Sequence, residues 1–531
     1  DSREIGLGAT NTLFAPLQPD GTPVDFSFKE SVFQDHERVR AALYSEKDHF
    51  DLLAEVDARF HGYRRDSRQA EAAPTFEVSV GDNRFGMTMD ISDQGVLTLV
   101  LDGTLNSEQR LQLATELITD ISVSEGSIAE GQWLIPEGSE LPVRLQGQLA
   151  LSDNPWRPEA KSFDHVRQPL KVVPSQADLL DGYAIEDYLP PKDNYGRDLL
   201  FEPLGIAVAD NGTVVVATRN AGIWRLIDGE WHLFAEGLFD SLGVVIEDKA
   251  GLDLVVGQKA ELTRIRDTNG DGRADHYQTL FDGFGYHSNY HTYLHGPVKG
   301  ADGAYYLGLN LAHADEAVYK ADGLYMGSQG GFSGWAFRVT PDGEATPWAS
   351  GLRSAAGWAL GPDDQVWFTE NQGEFVGTSK LFVLKKNAFY GHPSGLVDLP
   401  GMTPDSPGIA WARVRDHREP ERLLMPQNLL ANSPGHPAWD TTQGRFGPFS
   451  EQMLIGDQTQ SNLFRVALET LSDGTVQGAA MPFARNLASG AMRPVFLPDG
   501  SLLLGQTGRG WQAKGGHVAA LQRVSWQGEQ P

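Results

Sequence analysis

From Phe201 onward the chain repeats one local pattern: a small-residue turn, a short apolar run, an Asp/Asn-Gly turn or its equivalent, a second apolar run, then a variable loop. The pattern recurs as PLGIAVADNGTVVVATRNAGIWRL, SLGVVIEDKAGLDLVVGQKAELTRI, HGPVKGADGAYYLGLN, AAGWALGPDDQVWFTENQGEF, HPAWDTTQGRFGPFSEQMLIGDQTQSNLFRV and MRPVFLPDGSLLLGQTGRGW. Each Asp-Gly equivalent supplies a tight hairpin between two strands. Recurrence at about 40 to 50 residues predicts propeller blades, each a small antiparallel sheet. Six blades fit the count, and a β-sandwich or β-helix is the minor alternative. Uneven spacing places long loops over one end of the central channel.

Upstream the pattern is different. Phe28 to Phe60 carries Val32, Phe33, Val39, Leu43, Phe50, Leu53 and Val56 among charged residues, which predicts one or two amphipathic helices broken near Ser45. FEVSV at Phe76, VLTLVLDG at Val96 and VRLQGQLAL at Val143 read as strands, while NSEQRLQLATELI reads as a helix with Asn106 as N-cap. The expected organisation is a small α+β domain over 1–155, an extended Pro-rich linker over 156–200 and a β-propeller over 201–526. The expected fold class is therefore mainly β, a six-bladed propeller preceded by that α+β domain. No nucleophile elbow, phosphate loop or metal-spaced His pair occurs in the first domain.

Composition agrees with an all-β reading and narrows the partners. The 531 residues include 59 Gly and 12 Trp but only 8 Met. A net charge of -28 argues against nucleic acid or an anionic membrane surface as a general partner, while leaving room for a local basic cleft. Zero Cys excludes disulfides, thiolate metal sites and thiol nucleophiles within the chain. The chain has no apolar stretch long enough for a membrane span and begins at Asp1, so a periplasmic or extracellular place is expected. Oligomeric state leaves no trace in the sequence.

Three segments carry chemistry. DTNGDGRAD sets Asp267, Asn269, Asp271 and Asp275 at alternate positions, with the Arg273 carbonyl as a further donor. Oxygens so spaced can turn onto one Ca²⁺, or the same side chains can cap their own turn. GYHSNYHTYLHGP concentrates His287, Tyr290, His291, Tyr293 and His295 before the third blade. A neutral imidazole here can act as general base while Tyr or Arg stabilises negative charge, and His291 leads. The bland alternative is a hydrogen-bonded structural histidine.

Arg353 precedes the fourth blade's first strand, and Glu370, Asn371, Gln372 and Glu374 follow its second. Such groups suit sugar hydroxyls, a carboxylate or quinone carbonyls. Arg493 holds the equivalent place in the last blade, with Arg509 behind it. Trp335, Trp358 and Trp511 are core residues or stacking platforms.

These segments resemble the glucose/sorbosone dehydrogenase family of soluble six-bladed propeller quinoproteins. The likeness spans roughly Pro203 to Trp526 and is strongest in GLRSAAGWALGPDDQVWFTENQGEFVGTSKLFVLKKNAFYGHP. It implies a carbohydrate substrate oxidised at C1, with pyrroloquinoline quinone (PQQ) taking the hydride, Ca²⁺ beside it and a His taking the proton. The family His falls near Tyr293, so His291 or His295 serves; Arg353, Arg493 and Gln458 would meet the cofactor. His287, Glu370, Asn371, Gln372, Arg509 and Trp511 would meet the sugar. Where the family often supplies a Lys, this chain reads GDQTQSNLFRV, without one. Two other functions remain open: a quinone-independent uronate lyase using the same His, Tyr and Arg, and a non-catalytic sugar-binding propeller.

Overall fold

The computed structural model describes residues 14–16, 58–149 and 166–529, apart from 67, 69–71, 93, 114–117, 194, 285–288, 314–324, 329–331, 395–410, 475 and 510–512. Among these residues the only α-helix is Trp411–His417 and nearly everything else regular is strand. Two units are distinct: one takes in the described residues up to 149 with 264–280, the other 166–263 and 281 onward.

The larger unit is a ring of inner hairpins. Its first strands are Pro203–Val208, Gly243–Ile246, Leu294–Lys299, Gly357–Leu360, Pro434–Trp439 and Ala491–Phe496. Each neighbours the next, and the sixth returns to the first. The second strands, Val214–Thr218, Asp253–Gly257, Tyr305–Leu309, Val366–Glu370, Met453–Asp457 and Leu502–Thr507, pair antiparallel with them. These six hairpins close into a ring around one axis, the arrangement of a β-propeller. The second strands are buried almost throughout, which explains their unbroken apolar runs.

Close approach at the axis dictates composition. Gly205, Gly243, Gly296, Gly357 and Gly435 occupy the same place on five first strands. A Cβ on Gly357 would stand 2.1 Å from the Gly435 carbonyl oxygen, and one on Gly435 2.2 Å from that of Met492. No side chain fits there. The sixth strand holds Arg493 at this place, opposite Gly505.

The stretch expected as a linker is instead built into the propeller. Arg167–Pro169 pairs with the first blade's outer strand, Asp178–Leu179 with the fifth's, and Tyr183–Tyr188 with Ala519–Trp526 of the sixth. An early segment thereby completes the last blade and ties the two ends of the ring. Tyr183 anchors it, with ring centroids 4.7 Å from Phe483 and 4.9 Å from Trp526 and its hydroxyl donating to Phe446 O. Pro-rich composition had hidden these strands, since edge strands tolerate Pro where central ones do not.

The smaller unit is all strand where it is described, so the α+β expectation is corrected there. Thr75–Val80, Val96–Thr104 and Val143–Leu149 are strands, as their alternation predicts. The expected helix over NSEQRLQLATELI is not formed: Gln109–Leu113 and Ile118–Val123 are strands. Leu111 and Leu113 alternate into a core with Trp133 and Leu99, and burial at period two overrides helix propensity. Asn106 does not cap a helix; its N–H and that of Ser107 donate to Asn83 Oδ1. The helical pattern of Phe28 to Phe60 lies outside the described residues except Ala58 to Phe60, which open the strand Ala58–Arg64.

Candidate functional site

Loops at one end of the ring enclose a cavity of about 610 Å³ reached by all six blades. Its walls follow from a repeated device. The residue after each second strand is polar in five blades, and Arg219, Asn371 and Gln458 of these line the cavity. Side-chain oxygens at these strand ends also fasten the loops that lead into the first strands. Glu370 accepts from the backbone N–H of Arg353, Ser354 and Asn371. Asp457 accepts from Asn432, Ser433 and Gln460, and Gln506 from Ser489. Burial raises the Asp457 carboxyl to about 6. Buried acceptors with several N–H partners hold loops rigidly.

On the third blade's side the wall is aromatic. His291 stands with Nδ1 2.8 Å from the Leu311 carbonyl. A carbonyl only accepts, so Nδ1 carries the hydrogen and Nε2 keeps its lone pair. Burial, helped by the Arg353 charge, lowers its pKa to about 4, so the ring is neutral at pH 7. His295 is deeper: Asn310 Nδ2 donates to its Nε2 at 3.3 Å, leaving Nδ1 buried without a partner. Tyr293 accepts from Arg219 Nη2 at 2.9 Å, with Lys259 Nζ 5.4 Å from its ring centre. Tyr290 is half exposed at the rim.

The cations come from several blades. Arg219 pairs with Asp240 at 2.6 Å, Arg509 is held by Glu202, and Arg353 Nε lies 4.0 Å from Glu374. Glu374 itself receives the N–H groups of Tyr325 and Met326 and contacts His392 at 2.5 Å. Burial alone would raise this carboxyl; the His392 hydrogen bond and charge, the Met326 N–H and the Arg353 charge together outweigh it and bring the pKa to about 2. Lys514 reaches Gln460 Oε1 from the last blade's loop. Among the described residues no Asp or Glu lines the cavity, although the chain's net charge is -28.

The structure brings together Tyr290, His291, Tyr293, His295, Arg353, Asn371, Gln372, Gln458, Arg493 and Arg509 in this one cavity. Glu370 does not line it, because both its oxygens are taken by backbone N–H groups; it positions Arg353 and Asn371. Arg493 lies in the floor, not on a ligand face. Its guanidinium donates to the carbonyls of Leu204, Leu242 and Met492, and burial lowers its pKa to about 10. Trp335 and Trp358 are core. His287 and Trp511 lie outside the described residues.

The DTNGDGRAD loop belongs to the smaller unit and turns on itself. Asp267 accepts from the N–H of Gly270 and Gly272, Asn269 from Asp271, Asp271 from Arg273, and Asp275 from Thr268. Among the described residues no group of three or more His, Cys, Asp or Glu converges on a metal-sized point.

Sequence reasoning missed Arg219, His313, Tyr325, Gln427 and Lys514, all of which line the cavity. Arg219 had a usable signal, since it follows a second strand as Asn371 and Gln458 do. Lys514 had none: it enters from a loop with no strand pattern.

The ring of blades defines the class, a β-propeller, with a polar cavity at one end of its axis. Residues 227–403, a third of the chain, match a family described as a domain of unknown function (DUF7133). No curated protein matches the sequence. Among solved structures the chain is similar to a putative oxidoreductase (glucose dehydrogenase) from Thermus thermophilus. The identity is 17%, over 65% of this chain and 100% of that one, with a TM-score of 0.48. It is also similar to the PQQ-bound aldose sugar dehydrogenase of Streptomyces coelicolor, at 17% identity over 65% and 99% of the chains, TM-score 0.43. A third is the PQQ domain of pyranose dehydrogenase from Coprinopsis cinerea, at 12% identity over 66% and 97%, TM-score 0.45. No helix among the described residues is long and apolar enough to cross a membrane.

Proposed function

We propose that this protein oxidises a sugar in the propeller cavity, with PQQ as its cofactor. The observation that carries the reading is a cavity whose described lining presents Arg219, Arg353, Arg509 and Lys514 and no carboxylate, in a strongly acidic chain. Such a well selects an anionic ligand. Its buried unpartnered atoms, His295 Nδ1, Asn371 Oδ1 and Thr459 Oγ1, supply donors and acceptors for a polar planar ligand, so the residues present fit the quinone.

PQQ, when bound, supplies the hydride acceptor. Arg353, Arg509 and Lys514 would hold its carboxylates, and Gln458 would meet a carbonyl. His291 Nε2 takes the hydroxyl proton of the sugar carbon being oxidised, since its Nδ1–H is fixed on Leu311 and the ring is neutral at pH 7. Tyr293 keeps its own O–H to donate, because its oxygen already accepts from Arg219. A periplasmic or extracellular place suits such an enzyme.

The test is incubation with PQQ and Ca²⁺, followed by quench of intrinsic fluorescence to read binding and dye reduction with a panel of aldoses. Quench with sugar-dependent reduction is the expected result; no quench overturns the reading. The Arg219–Tyr293 contact beside a neutral His291 also suits β-elimination on a uronate. An unsaturated, ultraviolet-absorbing product from acidic polysaccharide without quinone would establish that lyase instead.

A further inference from the structure

Six rings run in unbroken sequence from the throat of the cavity to its rim: His295, Tyr293, His291, Tyr290, His313 and Tyr325. Successive centroids are 5.8, 6.3, 5.9, 6.1 and 4.7 Å apart. His295 is 7% exposed, whereas Tyr290 and Tyr325 are each 50% exposed. The inner three rings have work in the reaction above; the outer three have none there.

The outer rings are nonetheless held firmly. Tyr325 O–H and His313 Nε2 are 2.5 Å apart, and the Glu374 carboxylate accepts from the Tyr325 and Met326 N–H groups. Asn289 Oδ1 accepts from His291 N–H at 2.9 Å and from His313 N–H at 3.4 Å, so one side chain ties the inner and outer stretches together. Half-exposed aromatic faces fixed in place without burial are a recognition surface, because water covers them poorly and nothing in the core uses them. Gln427 lines the same cavity with Oε1 buried and unpartnered, and Asn428 lies beside it. Fixed ring faces together with neutral amides suit a ligand that is apolar on one face and hydroxylated at its edge.

We propose that Tyr290, His313 and Tyr325 form an outer subsite that stacks a second sugar ring, so that the saccharide taken is an oligosaccharide, with its terminal unit at His291. This rests on the sugar-oxidising reading and adds the substrate class. A preorganised platform contributes to affinity without an ordering cost, and its effect appears only in ligands long enough to reach it.

The experiment is calorimetric titration of the full 531-residue chain with glucose and with its β-1,4-linked and α-1,4-linked di- and trisaccharides, no quinone being added. Expected is affinity about 10-fold higher for at least one trisaccharide than for glucose. Tyr325→Ala should remove that margin and leave glucose affinity within about 2-fold, while Tyr325→Phe keeps most of it. Glucose binding with no gain in either series, or a margin that survives Tyr325→Ala, overturns the outer subsite alone. If no saccharide binds at all, the outer subsite falls together with the sugar reading.

Discussion

The two sides of the cavity are built from the same kind of loop on the same kind of blade, and they differ in chemistry. Along the third blade run rings, with the two histidines neutral at pH 7 and His291 Nε2 left free by its hydrogen bond to Leu311. Around the ring, the fifth and sixth blades contribute Asn432, Gln458, Gln460, Arg509 and Lys514. One side is suited to moving a proton and the other to fixing an anion. Loops vary independently over a common sheet, so neighbouring blades of one propeller can present different chemistry to the same cavity.

Substitutions on each side give that division its hardest test. His291→Ala is expected to lower turnover by about 10² to 10⁴-fold while quinone affinity, read by fluorescence quench, stays within a few-fold. Equal loss of both would merge the two sides into one. Glu370→Gln is next: one oxygen then faces N–H donors as an amide, and a loss of about 1–3 kcal/mol should appear in denaturant unfolding. Because Glu370 fastens Arg353 and Asn371, ligand affinity should fall with stability.

The third effect is pH. His291 has a folded pKa near 4, below its ordinary value of 6.5, so the unfolded chain binds its proton first as pH falls. Stability is expected to be full above about 6.5 and to decline toward pH 4 by up to about 1.4 kcal/mol per unit for this residue, measured by urea unfolding across that range. Smallest is Lys514→Gln, with quinone affinity lower by roughly 3- to 10-fold, most at low salt, and turnover of the saturated enzyme unchanged. A turnover loss matching that of His291→Ala would break the comparison.

How much of this was legible follows from the range of the forces involved. Hairpins announce themselves locally, through Asp-Gly turns and apolar runs, so the blades could be read from the sequence. The 290–295 segment was also legible, being dense in chemistry over a few residues. The Gln109–Leu113 strand was not, because a sheet partner far along the chain decided it over local propensity. Tyr183–Tyr188 was hidden because its partner, Ala519–Trp526, lies at the other end of the chain. Arg493 was read as a ligand contact from its place before a strand. Only the three carbonyls around its guanidinium reveal another task.

Five blades carry a glycine at this level of the axis, where a Cβ would strike the neighbouring backbone, while the sixth carries Arg493, whose side chain lines both the main cavity and a smaller one of about 110 Å³. Held by three backbone carbonyls, that guanidinium is masonry: it braces the loops of neighbouring blades from within the space they surround.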